Sequence, residues 1–165
     1  TKYSLDGLVT IFFYDGLIKE AIGKLKYRFV TDLAQELVDL IPLTVPWFES
    51  ATLIPIPLHP QRQRWRGFNQ AELLARIIGN KFGWPVNQGL LERYRNTSPQ
   101  VALKSKERKR NIRGAFRLRQ KIRLPKKASL VLFDDVWTTG STLREGGQVL
   151  KRAGVQEVWG LTLAR

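Results

Sequence analysis

Apolar residues recur along this chain first with the period of helices and later in short unbroken runs. Over 14–28, Leu17, Ile18, Ala21, Ile22 and Leu25 fall on one helical face, with Asp15 placed to cap it. Over 31–41, Leu33, Ala34, Leu37, Val38 and Ile41 repeat the pattern, and Pro42 and Pro46 enforce a connection. The run 52–58 predicts a short buried strand, its two prolines suiting a strand end better than a central ladder position. Asn69 with Glu72 three residues later predicts a capped helix start, and the Leu74, Ile77, Ile78 and Phe82 that follow can face a core. Near the end, a strand over 129–133, a helix from about 142 to 153 stopped by Gly154, and a strand over 155–163 form a βαβ unit. Such a unit implies a parallel sheet, so the fold class is α/β.

Between these parts, 93–127 is mostly polar and basic, interrupted at Val101, Leu103 and Phe116. It predicts an excursion over the surface, a hairpin or lid, rather than a core layer. The length of 165 residues suits one domain spanning 1–165. No internal repeat interrupts that reading.

Charge changes the picture more than composition does. The formal net charge is +14, yet 61–127 alone carries 19 basic and 3 acidic side chains, while the flanking parts nearly balance. Such a block attracts polyanions, pyrophosphate groups or a nucleic-acid backbone, unless it is only a solvated surface. With no Cys, the chain offers no disulfide, thiolate zinc site or Cys nucleophile, and its one His excludes a multi-His metal site. No apolar run approaches membrane-spanning length and no signal peptide is read, so a cytoplasmic location is expected. The absence of Met implies that the initiator was removed or that an N-terminal piece is missing.

The chemistry concentrates at 130–142, Leu-Val-Leu-Phe-Asp-Asp-Val-Trp-Thr-Thr-Gly-Ser-Thr. A buried strand delivers Asp134 and Asp135 at its C-terminal end, where ligands bind in open α/β sheets. Hydroxyl residues and Gly140 follow at a helix N-terminus, where free amides and the helix dipole make a phosphate cradle. The carboxylates suit a sugar diol, or Mg²⁺ held directly or through water. Neither G-x-x-x-x-G-K-[ST] nor G-x-G-x-x-G occurs in the chain.

Residues 130–142 resemble the signature of type I phosphoribosyltransferases, which bind 5-phosphoribosyl-1-pyrophosphate (PRPP). The resemblance implies a mainly parallel twisted sheet flanked by helices, with a basic hood or lid at about 93–127. It places Asp134 and Asp135 on the ribose hydroxyls as catalytic and metal-holding acids, and Thr138, Thr139, Gly140, Ser141 and Thr142 on the 5-phosphate. Some purine-salvage relatives carry an acid where Thr138 stands, and Thr138 cannot assist a base nitrogen.

A narrower resemblance covers nearly the whole chain. Leu25-Lys26-Tyr27-Arg28, Pro55-Ile56-Pro57-Leu58-His59-Pro60, Arg66-Gly67-Phe68-Asn69-Gln70, Asn111-Ile112-Arg113-Gly114-Ala115-Phe116, and the spaced Arg93, Arg95, Thr97, Gln100 and Arg108 are similar to the ComF (ComFC) competence family. Members commonly begin with a small Cys-rich zinc-binding element, which is absent here. The family implies a role in DNA uptake and transformation, contact with single-stranded DNA, and a helicase-like partner. The alternative is a phosphoribosyltransferase of nucleotide metabolism that releases pyrophosphate.

Arg62, Arg64 and Arg66 follow the first of these strands in what reads as a loop. Arg62, Arg66 and Gly67 are the candidates for pyrophosphate, because guanidinium forks match phosphate oxygens. Lys109, Arg110 and Arg113 are the candidates for nucleic acid, with Tyr94 and Phe116 as stacking groups, although Phe116 also reads as a core anchor. His59 reads as a turn-ordering residue or a general acid-base. Lys26 reads as a phosphate contact or a snorkelling lysine. Asn69 and Gln70 read as ligand contacts or helix caps.

Overall fold

The architecture follows from alternation in three buried strands. The computed structural model describes residues 4–25, 31–43, 51–97, 105–119 and 129–165. Its elements are β1 (Gly7–Phe12), α1 (Gly16–Lys24), α2 (Thr31–Asp39), β2 (Ala51–Pro55), α3 (Pro60–Arg66), α4 (Gln70–Phe82), β3 (Leu91–Arg93), α5 (Ser105–Ile112), β4 (Phe116–Leu118), β5 (Ser129–Val136), α6 (Ser141–Arg152) and β6 (Val158–Ala164). The main sheet has the order β1-β6-β5-β2 and every pairing in it is parallel. This is the α/β class with a parallel sheet flanked by helices.

Side chains alternate across a strand, so each central strand feeds two cores. Val131 and Phe133 of β5 join Leu53, Leu161 and Leu163 beneath α1, α2 and α4. Leu130 and Leu132 join Ile54 and Val158 on the opposite face, beneath α6. Both faces of β5 are therefore apolar, which is why it reads as an unbroken run rather than an alternating one. The same alternation sends Asp134 and Asp135 to opposite faces of the sheet as β5 emerges from the core.

Several expectations are refined. β1 pairs with β6 at the sheet edge, a strand that the pattern over 7–12 does not by itself predict. Its β-branched Val9, Thr10 and Ile11 carried that signal, weakened because the run is short. Leu17 is not on the buried face of α1 but 83% exposed, whereas Ile22 and Leu25 are buried. Pro55 ends β2, where its missing N–H breaks no ladder, and Ile56 resumes bonding to the Phe133 carbonyl at 2.8 Å. The described part of the basic excursion is not merely a surface loop. β3 and β4 pair antiparallel, and Leu91, Ile112, Ala115 and Phe116 bury against the α6 face. Three-residue strands are too short to show a period, and the polar composition of α5 hides the buried Ile112 at its end. Lys26, Tyr27, Arg28, Val101, Leu103, Gln100 and the basic residues of 120–127 lie outside the described residues, as does the Arg108 side chain. Among the described residues no helix is long and apolar enough to cross a membrane.

Candidate functional site

The C-terminal ends of β2 and β5 open into a cleft of about 500 Å³. Its floor and one wall come from the β5–α6 turn. Gly140 adopts φ +68° immediately before α6, a left-handed conformation that suits glycine. A Cβ there would also overlap the Trp137 ring, so the turn closes tightly only because residue 140 has no side chain. Gly140 has no side chain to cap α6, and the Ser141 amide in its first turn donates to Thr139 Oγ1 at 3.4 Å. Thr139 Oγ1 and Ser141 Oγ are hydrogen-bonded at 2.7 Å, fixing the hydroxyls of the turn against each other. Thr138, Gly140, Ser141 and Thr142 line the cleft.

The two acids are held differently because they leave β5 on different faces. Asp135 is buried toward α4, where its Oδ2 accepts from Gln70 Nε2 at 3.3 Å and its Oδ1 accepts from the Val136 amide at 2.9 Å. Asp134 turns toward the β3–β4 side, and its Oδ1 accepts from the Asp135 amide at 3.0 Å. Asp134 as a residue is only half-buried, but desolvation of its carboxyl is the largest influence on it. That burial, reinforced by the charge and hydrogen bonding of Asp135, holds the carboxyl well above the usual range, with the Asp135 amide and Arg93 opposing. Among the described residues no group of three or more His, Cys, Asp or Glu side chains gathers. A hard cation beside these two carboxylates would therefore take its other oxygens from a ligand and from water, which suits Mg²⁺.

The opposite wall is basic. Arg62, Arg64 and Arg66 stand on the short helix α3, not in a loop, because Pro60 occupies its first turn and His59 caps it. His59 Nδ1 accepts from the Gln61 amide at 3.3 Å, the turn-ordering role. Four-residue spacing then puts Arg62 and Arg66 together on the cleft face, while Arg64 is exposed. Arg62 Nη2 donates to the Thr97 carbonyl at 3.0 Å, and Arg66 Nη1 donates to Gln70 Oε1 at 2.6 Å. Burial and the Arg66 charge both lower the Arg62 pKa. Gly67 ends α3 at φ +86°, with its amide donating to the Gln63 carbonyl at 2.7 Å.

Asn69 is a helix cap: its Oδ1 accepts from the Ala71 amide at 3.1 Å and its Nδ2 donates to the Ile56 carbonyl at 3.0 Å. Gln70 does more, bridging Arg66 to Asp135 through the bonds given above. Gln70, already a candidate ligand contact in the sequence, lines the cleft, as do Arg93, Trp65 and Trp137, to which the sequence alone assigns no site role. Arg93 stands in the spaced run quoted for the family resemblance, but its inward position on β3 is set by the pairing with β4. The Trp residues had no periodic cue, because their placement depends on how α3 and α6 face one another.

Lys109, Arg110 and Arg113 sit elsewhere, exposed on α5 and just beyond its end. Tyr94 is about half exposed, with the Arg117 guanidinium 4.9 Å from its ring centroid. Phe116 is 4% exposed and anchors β4 in the core.

No protein-family model matches the chain. It is 40% identical to competence protein F of Haemophilus influenzae over 115 residues, which are 68% of this chain and 50% of that protein. It is 33% identical to the DNA utilization protein YhgH of Escherichia coli K12 over 162 residues, 92% of this chain and 70% of that protein. Competence protein ComFC of Streptococcus pneumoniae is 26% identical over 155 residues, 94% of this chain and 66% of that protein. The chain thus spans half the length of the Haemophilus protein and about two thirds of the other two.

Proposed function

The chain belongs to the ComF competence family, and from that premise and the chemistry of the cleft we propose a PRPP-binding protein of natural competence that acts in DNA uptake. In this reading Mg²⁺ accompanies the ligand at Asp134 and Asp135. The turn Thr138–Thr142 holds the 5-phosphate, and Arg62 and Arg66 face the pyrophosphate. The observation that carries it is one cleft in which two strand-end carboxylates lie between the hydroxyl-lined head of α6 and a pair of guanidinium groups. A phosphate, a diol and a diphosphate in one ligand match those three surfaces in order. The relatives named for competence and DNA utilization support the setting.

Calorimetry with PRPP and Mg²⁺ tests the clamp: the wild type binds, and Asp134→Asn with Asp135→Asn abolishes or sharply weakens binding. No heat from the wild type removes the proposal. Single-stranded DNA contact is assigned to Lys109, Arg110 and Arg113, whose exposure suits backbone phosphates. Reversing these three charges should weaken binding and flatten its salt dependence, and unchanged affinity would remove the assignment.

A second reading, transfer of the ribose phosphate to a base or amine, is favoured by the aromatic walls of the cleft. Trp65 is 85% exposed at its lip, and Tyr14 and Trp137 also line it. Exposed aromatic faces suit a planar acceptor. Release of pyrophosphate from PRPP on adding bases or amines distinguishes this reading from simple binding.

A further inference from the structure

A buried guanidinium with too few partners points beyond the residues assigned above. β3 alternates Leu91 inward, Glu92 outward and Arg93 inward. The inward register that buries Leu91 thus places Arg93 where an apolar side chain belongs. Arg93 is 5% exposed and its guanidinium lies 5.7 Å from the centroid of Phe116, its partner in register on β4. Among the described residues its one hydrogen-bond acceptor is Thr97 Oγ1, itself buried, and its Nε is enclosed with no partner. Arg66 Nε is enclosed and unpartnered in the same way, and both residues line the cleft that holds Asp134 and Asp135. A charge taken out of water is expensive unless it is paired. Asp134 acts on Arg93 only by its charge, and Arg62 opposes it. Burial first, and the Arg62 charge second, lower the Arg93 pKa to about 10, so the group is cationic at neutral pH and short of counter-charge.

We propose that Arg93 is a specificity-determining residue of the cleft: its buried guanidinium, with those of Arg62 and Arg66, forms an anion site that selects ligands bearing a second, diphosphate group over ribose 5-phosphate. This rests on the PRPP reading and deepens it. Arg62 and Arg66 stand on a short helix at the cleft rim, whereas Arg93 is fixed by the β3–β4 pairing and by Thr97. The fork is therefore oriented before any ligand arrives, and little side-chain freedom is lost on binding. The ligand class follows from charge: one phosphate at the head of α6, and a diphosphate where three guanidinium groups converge on the cleft.

The test compares ribose 5-phosphate with PRPP, each with Mg²⁺, by calorimetry on the wild type, Arg93→Met and Arg93→Lys. Methionine keeps an unbranched apolar side chain in the core, and lysine keeps the charge without the fork. The wild type should prefer PRPP at least about tenfold, the scale of charge-assisted hydrogen bonds. Arg93→Met should bring that preference close to one while affinity for ribose 5-phosphate stays within about twofold. If Arg93→Met does not fold, as judged by circular dichroism, Arg93→Lys carries the same comparison and should lose most of the preference. A preference kept intact in the folded variants overturns the proposal. A wild type that binds the two ligands equally also overturns it while leaving the phosphate clamp standing. A wild type that binds neither instead refutes the PRPP reading and this proposal with it.

Discussion

Gly140→Ala concentrates most of what the site requires of its backbone into one methyl group. Two costs arise from different parts of the structure. Residue 140 sits at φ +68°, where an alanine is strained by about 1 kcal/mol. Its Cβ would also overlap the six-membered ring of Trp137, which must move aside or be compressed, at about 1–3 kcal/mol. Trp137 is also held by the Arg144 guanidinium 5.3 Å from its ring centroid, so displacing the ring disturbs that contact as well. The expected total is about 2–4 kcal/mol of lost stability. Urea unfolding followed by far-ultraviolet circular dichroism on the wild type, Gly140→Ala, Trp137→Ala and the double variant separates the two costs. Removing the ring should relieve the overlap but not the dihedral strain, so the double variant should be more stable than additivity predicts by about 1–3 kcal/mol. Strict additivity would show that Trp137 does not reserve the position for glycine. A cost under about 0.5 kcal/mol for Gly140→Ala would refute both parts of the reasoning.

Two acids should show opposite pH dependences. Asp134 has a raised pKa, so the folded chain binds its proton more tightly than the unfolded chain. Its contribution is complete below the ordinary value of 3.8 and is lost as pH rises through the folded value. Asp134→Asn should therefore be more stable than the wild type near pH 8, with the gap closing as both are taken to about pH 3. A gap independent of pH in urea midpoints would contradict this. At Asp6, burial pushes the carboxyl up, but the Lys151 hydrogen bond, the Val158 amide and the Lys151 charge together carry it below its ordinary range. That contribution is present above 3.8 and lost as pH falls through the folded value. Asp6→Asn should cost about 1 kcal/mol at neutral pH, because the acid is still over a third exposed and solvent screens the pair. The cost should disappear in acid, and a cost that persists there would refute the electrostatic account.

The helices α2, α4 and α6, and the strands β2, β5 and β6, were legible because each carries a local cue that is also its structural cause. Asn69 caps α4 as its side-chain chemistry requires, Gly83 and Gly154 take positive φ where helices stop, and β5 is apolar on both faces because helices cover both. The edge strand β1 and the three-residue β3 and β4 were not legible. Their existence depends on pairing with β6 and with one another, residues far away in the chain. The same divide runs through the site. The acids and the hydroxyl turn could be placed at one strand end from their own sequence, whereas Arg93 is brought opposite Asp134 only by the β3–β4 pairing.

The sequence by itself determined the class of fold and the acid-bearing, hydroxyl-rich turn at 134–142, because strand, turn and helix there follow one another within a few residues and local chemistry specifies them. Only the tertiary structure decided which of the many arginines share that cleft. A helix of seven residues turns Arg62 and Arg66 inward and Arg64 outward, and a two-residue period buries Arg93 beneath the cleft wall. Charge composition could show that a basic block exists; the distance and burial of each guanidinium relative to Asp134 and Asp135 are set by packing between segments remote in sequence.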